Sequence, residues 1–265
     1  MFNNLDTLLI KVASRCNLDC SYCYVYQGQD QNWVNQPKRI SNETIDSICK
    51  SIDQVTSFQN NGFAVVLHGG EPLLLGSVKL KELLSKLRRV LPNYDKYPIA
   101  IQTNGILLSD EIIEICSHYK TSISVSLDGV KKSNDIARFT HDGQSSFQKV
   151  INGIDKLIAH PENDFLFSGT LSVIQPTTSP VENYEYLKSI GSKSIDVLLQ
   201  DGNHTYLPKG KENFESLEYG RWLGELLEHY LNDPNPVPIR FFDDLIKIIL
   251  GGNPDKEGKG ENSYG

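Results

Sequence analysis

Thr7-Leu8-Leu9-Ile10-Lys11-Val12-Ala13-Ser14-Arg15-Cys16-Asn17-Leu18-Asp19-Cys20-Ser21-Tyr22-Cys23 is the stretch on which the reading of this chain turns. Its first half is a short apolar run with the length and β-branching of a buried strand. Its second half is a loop with three cysteines at C-x3-C-x2-C spacing. Three thiolates this close cannot all pair as disulfides, but they can converge on one inorganic centre. Iron–sulfur clusters are held by cysteine thiolates, usually four, so three would leave one iron open to another ligand. A zinc knot is the alternative. Zinc prefers four closed tetrahedral ligands, commonly on paired C-x2-C hooks, and here there is one hook with no histidine nearby.

Working outward, the strand-then-loop pattern recurs. Ala64 to His68 is a second strand candidate running into Gly69-Gly70-Glu71-Pro72. Ile99 to Thr103 is a third, turning at Asn104-Gly105, and Ser122 to Leu127 a fourth, turning at Asp128-Gly129. Leu166–Ile174 and Ile195–Leu199 complete six. Helical periodicity separates them: Ile45, Ile48, Ile52 and Val55 behind a Ser41 cap; Leu80, Leu83, Leu84, Leu87 and Val90; Ile112, Ile113 and Ile115 after Ser109; Phe147, Val150, Ile151, Ile154, Leu157 and Ile158, all facing inward from a start near Ser145; and Tyr184, Leu187 and Ile190. Strands alternating with helices imply an α/β fold with a parallel sheet and right-handed crossovers. Continuous apolar strands predict burial on both faces. Six units fall short of the eight of a closed barrel, so the expectation is a partial (β/α)6 TIM-like barrel with function at the carboxyl ends of the strands. Tyr219–Leu231 and Ile239–Leu250 are two final helices leading out of it.

The chain has 265 residues, 39% hydrophobic and 22% charged, with net charge −7. These values are ordinary for a globular protein with one large core. No basic surface advertises nucleic acid, no apolar run suits a membrane span, and the N-terminus lacks the features of a signal peptide. The expectation is a cytoplasmic chain, in which clustered thiols bind metal rather than pair. Cys49 and Cys116 lie in helical stretches, far from any ligand-spaced partner, and are expected to be core residues.

The cysteine loop, with Tyr22 before its last cysteine, resembles that of the radical S-adenosylmethionine (SAM) superfamily. The resemblance extends to Gly69-Gly70-Glu71-Pro72, Gln102-Thr103-Asn104-Gly105 and Ser126-Leu127-Asp128-Gly129. These last segments are similar to those of peptide- and protein-modifying members, the anaerobic sulfatase-maturing enzymes and the cyclophane-forming peptide maturases. The resemblance implies a [4Fe–4S] cluster on Cys16, Cys20 and Cys23, with SAM on the open iron. It implies that Gly69, Gly70 and Glu71 meet the amino end of SAM, Ser126 its ribose and Arg138 its carboxylate, with Gln102, Asn104 and Asp128 in the same cofactor segments. Tyr22, Leu199 and Gln200 would border the adenine. By themselves, Gly-Gly-Glu-Pro is an ordinary turn, Arg138 a surface arginine and Ser145 a helix cap. Asp201-Gly202-Asn203-His204 at the end of the sixth strand offers Asp201 and His204 as base or substrate-binding groups, or a simple turn. His68, ending its strand beside the Gly-Gly-Glu-Pro turn, is a candidate pocket residue. His118, His141, His160 and His229 form no constellation in the sequence.

The implied reaction starts with hydrogen removal from a peptide side chain and leads to a crosslink to an aromatic ring in a ribosomally made precursor. The implied partners are that precursor peptide or protein and an external electron donor of the flavodoxin or ferredoxin kind, or dithionite in vitro. Two alternatives stand: formylglycine formation as in sulfatase maturation, and a truncated module that binds iron–sulfur without catalysis. The expected organisation is a radical SAM core at 1–250, with 251–265 a flexible tail or the start of a missing C-terminal domain of the auxiliary-cluster kind, since no cysteine follows Cys116.

Overall fold

The structure is a computed structural model and describes residues 4–203, 205–213 and 215–252. His204 and residues 253–265, which include most of the expected tail, lie outside the described residues. The elements run β1 (Thr7–Ala13), α1 (Asn42–Phe58), β2 (Ala64–Gly69), α2 (Ser77–Val90), β3 (Ile99–Thr103), α3 (Asp110–His118), β4 (Thr121–Ser126), α4 (Lys131–Asn134), α5 (Phe147–Ala159), α6 (Asn163–Leu166), β5 (Phe167–Val173), α7 (Pro180–Ser189), β6 (Ile195–Leu198), α8 (Glu218–Asn232) and α9 (Arg240–Ile249). The strands form one sheet in sequential order β1 to β6, the partial (β/α)6 arrangement expected from the alternation. Two compact units make up the chain: residues 1–126 with 137–168, and residues 127–136 with 169–265.

In the first unit β1–β2, β2–β3 and β3–β4 pair in parallel. Ser41 and Ser109 accept hydrogen bonds from Thr44 N and Ile112 N, capping α1 and α3 as their sequences predict. The core comprises Ile10, Val12, Val65, Leu67, Ile99, Ile101, Ile123 and Val125 from the strands, with Ile45, Ile52, Leu80, Leu83, Leu84, Leu87, Val150, Ile154 and Leu157 from the helices. Arg88 is buried among them. Its guanidinium donates to the carbonyls of Tyr97, Tyr119 and Lys120, which satisfies it and ties α2 to the starts of β3 and β4.

Three expectations are corrected, the last being the placement of Cys49 in the core. The strands are buried on one face only. The alternate positions Leu9, Lys11, Val66, His68, Ala100, Gln102, Ser122, Ser124 and Ser126 in β1 to β4 are exposed or half-buried, and most of them, including every such position of β4, carry polar side chains, as suits a face that stays accessible. Ile158 does not face inward: it is 40% exposed, at the end of α5 where the apolar stripe has rotated past the core. Cys116 is fully buried, whereas Cys49 is only half-buried.

In the second unit β5 pairs in parallel with β6. Asp233, after α8, accepts from Tyr184 Oη at 2.8 Å, Lys188 Nζ at 2.5 Å and Asn235 N at 2.9 Å, joining α7 to the turn that follows α8. The Lys188 hydrogen bond and then the Asn235 amide hold its carboxyl at about 2, below the ordinary 3.8. A lowered carboxyl stabilises fully above its ordinary value, and the contribution is lost as pH falls through the folded value. Asp233→Asn is therefore expected to lower the urea midpoint at neutral pH. The gap to wild type should close between about pH 4 and pH 2, and a gap that persists at pH 2 would assign Asp233 a purely steric role.

Candidate functional site

The cysteine loop leaves β1 and is held from two sides by backbone. The Gly-Gly-Glu-Pro turn donates from Gly70 N to Ala13 O at 2.9 Å and from Glu71 N to Arg15 O at 2.8 Å. The segment after α4 pairs with it antiparallel: Asp19 N donates to Phe139 O at 2.8 Å and Ser21 N to Ala137 O at 2.9 Å, and Leu18 bridges Thr140. The Arg15 guanidinium donates to the carbonyls of Trp33 and Val34 and lies 5.0 Å from the Trp33 ring centroid, fixing the downstream loop.

All three cysteines are free thiols. Leu18 N donates to Cys16 Sγ at 3.4 Å, and Asn104 Nδ2 stands 3.8 Å from the same sulfur while donating to Asn17 Oδ1 at 2.7 Å. Burial pushes the Cys16 thiol up to about 12. The Leu18 amide opposes this, while the charges of Glu71, Cys20 and Cys23 add to it. A proton therefore sits on this sulfur until a metal takes its place. Among the described residues no three His, Cys, Asp or Glu side chains surround a single ion-sized point. Ligands that each hold a different iron of a cluster have no need to converge in that way. The donor set is soft, three-fold and electrically crowded, which fits an iron–sulfur cluster with one iron left open.

Around these sulfurs the first unit gathers most of the predicted cofactor residues. Arg138 is buried and donates from Nη1 to Tyr22 Oη at 2.8 Å. Gln102 Nε2 donates to Ser126 Oγ at 2.9 Å, linking the ends of β3 and β4. Glu71 is buried, and its carboxylate is committed to the protein: Oε1 accepts from Leu73 N and Thr103 Oγ1, and Oε2 from Asn104 N. Burial raises its pKa, against the Asn104, Thr103 and Leu73 hydrogen bonds and the Arg138 charge. The carboxylate thus clamps the turn to the end of β3, with Oε2 accepting a single hydrogen bond.

A Cβ on Gly70 would lie 1.8 Å from Tyr26 Oη and 2.4 Å from the Arg15 carbonyl. Gly70→Ala is accordingly expected to destabilise the protein by about 1–3 kcal/mol and to weaken SAM binding at least about tenfold. Adding Tyr26→Phe should not restore either, because the backbone clash remains. Rescue by the double variant, read by equilibrium dialysis, would mean that only the tyrosine hydroxyl is crowded.

The remaining predicted residues belong to the second unit. Asp128 is buried and accepts from Val173 N at 3.0 Å. Leu199 is 56% exposed and Asp201 is exposed, while Gln200 is buried and donates to Ile174 O and Gln175 Oε1. Ser145, in the first unit, accepts from Phe147 N through Oγ but is not the cap expected of it, since the N-cap of α5 is Ser146. Sequence reasoning missed His141, whose Nε2 lies 3.0 Å from Cys16 O and which lines a cavity of about 360 Å³ with Arg15, Cys16, Tyr26 and Trp33. The signal available was position: His141 follows Arg138 by three residues.

The family description that matches this chain is the Radical SAM superfamily, over residues 10–193. The chain is 29% identical over 262 residues to the cysteine-type anaerobic sulfatase-maturating enzyme of Clostridium perfringens, covering 95% of this chain and 68% of that protein. It is 27% identical over 269 residues to the serine-type enzyme of Bacteroides thetaiotaomicron, covering 94% and 63%. Among solved structures it resembles native anSMEcpe with bound AdoMet and Kp18Cys peptide, with TM-score 0.77 and 27% identity, over 94% of this chain and 67% of that one.

Proposed function

This chain belongs to the radical SAM superfamily, and from that premise we propose that it is a peptide maturase that crosslinks a side chain of a ribosomally made precursor. It is an enzyme of the kind that uses a [4Fe–4S] cluster and SAM. When bound, these supply the electron and the 5'-deoxyadenosyl radical that takes hydrogen from the substrate. In this reading Cys16, Cys20 and Cys23 hold the cluster. Gly69, Gly70 and Glu71 orient the amino end of SAM, Arg138 takes its carboxylate through parallel hydrogen bonds, and Tyr22, Gln102, Asn104 and Ser126 border the rest. In the second unit, Asp128 and Leu199 are proposed as cofactor contacts and Asp201 as the base. An external one-electron donor reduces the cluster.

The observation that carries this reading is the joining of the three-cysteine loop to the Gly-Gly-Glu-Pro turn and the Ala137–Thr140 segment by backbone hydrogen bonds. That arrangement places thiols, glycine backbone and a buried guanidinium within one unit. A peptide partner is supported by the peptide bound in the similar solved structure. Among the described residues no helix is long and apolar enough to cross a membrane, and a cytoplasmic location is part of the proposal. The names of the relatives favour a second reading, formylglycine formation on a cysteine or serine of a sulfatase.

Anaerobic reconstitution tests the proposal. The expected result is a brown protein with about four irons that releases 5'-deoxyadenosine from SAM under dithionite. A colourless protein holding one zinc would overturn it. Mass loss of a precursor peptide encoded beside the gene, against a sulfatase peptide, separates the two readings.

A further inference from the structure

Asn104 follows β3 at the Asn-Gly turn, and its side chain is buried between that turn and the cysteine loop. Its own N–H donates to Glu71 Oε2 at 2.8 Å, which ties it to the Gly-Gly-Glu-Pro turn. Gly105, the next residue, has φ +79°, so the chain turns away at once in the left-handed region. Ile106 N then donates to Asn104 Oδ1 at 3.1 Å. That bond decides which end of the amide is which: Oδ1 faces the N–H, so Nδ2 faces the cysteines. There Nδ2 donates to Asn17 Oδ1 at 2.7 Å and stands 3.8 Å from Cys16 Sγ. An amide nitrogen carries two protons, and the one not given to Asn17 is left for the sulfur. Leu18 N approaches the same sulfur at 3.4 Å from within the loop.

Two N–H groups aimed at one ligand sulfur have an electrostatic effect of known sign. Reduction adds an electron to a cluster and negative charge to its sulfurs. A hydrogen bond grows stronger as its acceptor gains charge, so such donors favour the reduced form and raise the reduction potential. Burial enlarges the effect, because little water is present to screen it. The Leu18 donor comes with the loop itself. The Asn104 donor is a side chain delivered by β3 and fixed at its backbone by Glu71 and at its amide oxygen by Ile106.

We propose that Asn104 is a positioning residue that sets the redox poise of the cluster, holding an amide N–H on Cys16 Sγ and so keeping the cluster within reach of its external electron donor. This rests on the functional reading above and concerns the regulation of that same site. The partners of a metal's ligands tune the metal through them, and here the ligand so tuned is Cys16.

The test is an EPR-monitored redox titration of the reconstituted protein without SAM. In Asn104→Ser the hydroxyl stays neutral and can accept from Ile106 N in the same turn, but it is too short to reach the sulfur. The expected result is a fall of at least about tenfold in the one-electron reduction equilibrium, equivalent to about 59 mV. Asn17→Ala removes an acceptor and leaves the Asn104 donor in place, so its fall should be smaller. A smaller change than tenfold in Asn104→Ser, or a fall as large in Asn17→Ala, overturns the proposal. Should Asn104→Ser not take up its cluster, wild-type protein labelled with 15N in its asparagine side-chain amides decides by pulsed EPR of the reduced state. A 15N coupling that persists in Asn17→Ala is expected, and its absence from wild type overturns the proposal. A wild-type preparation that takes up no cluster sinks the functional reading and this inference together. A loaded cluster whose midpoint ignores Asn104→Ser sinks this inference alone.

Discussion

Cys16→Ala, Cys20→Ala and Cys23→Ala proteins are each expected to fold, to fall short of a full cluster, and to release 5'-deoxyadenosine at no more than about one thousandth of the wild-type rate, equivalent to about 4 kcal/mol of barrier. Folding survives because the loop is held by main-chain bonds from Gly70, Glu71, Asp19 and Ser21 rather than by its thiols. Activity does not, because a cluster that receives two thiolates where three are needed leaves a second iron without a protein ligand. Cys16→Ala should show the largest structural cost of the three, since its sulfur also receives the Leu18 amide and faces Asn104. Iron content, visible absorbance and product release on the same samples check the claim. Full iron with wild-type cleavage in any one variant would remove the basis of the functional reading.

Glu71→Ala is expected to be the most destabilising single change at the site, by about 3–5 kcal/mol. The carboxylate receives three donors, Leu73 N, Thr103 Oγ1 and Asn104 N, all in the interior. Each donor stranded without a partner costs about 1–3 kcal/mol, and a loss of that size is a large share of the stability of an ordinary domain. Glu71→Gln keeps one acceptor oxygen but turns an amide NH2 toward an N–H or O–H donor, and should cost roughly half as much. Urea midpoints decide this. Equal stability of Glu71→Ala and wild type would show that the turn does not depend on its acid.

Much of the site was legible because its spacing is local. The cysteine loop, the Gly-Gly-Glu-Pro turn, the ends of β3 and β4, and the caps at Ser41 and Ser109 each sit within a few residues of one another. The alternation of βα units carried the fold for the same reason. What stayed hidden depends on distance along the chain. Nothing near Leu18 announces its bridge to Thr140, and nothing near Cys16 announces the approach of His141. The direction of Glu71 was equally hidden, since a glutamate in a glycine turn can face ligand or protein, and three donors from β3 and its own turn drew it inward. The accessible sheet face was visible in principle. Thr121-Ser122-Ile123-Ser124-Val125-Ser126 alternates strictly, and alternation of that kind marks a strand with one wet side.

The bridge from Leu18 to Thr140 also sets a timetable for biogenesis. The segment that pairs with the three-thiol loop is translated more than a hundred residues after it. At ~5–20 residues per second the interval is on the order of ten seconds. Throughout that window the loop lacks the main-chain partner that Ala137 and Phe139 later supply, so its final geometry is set only once the Arg138 segment has been made.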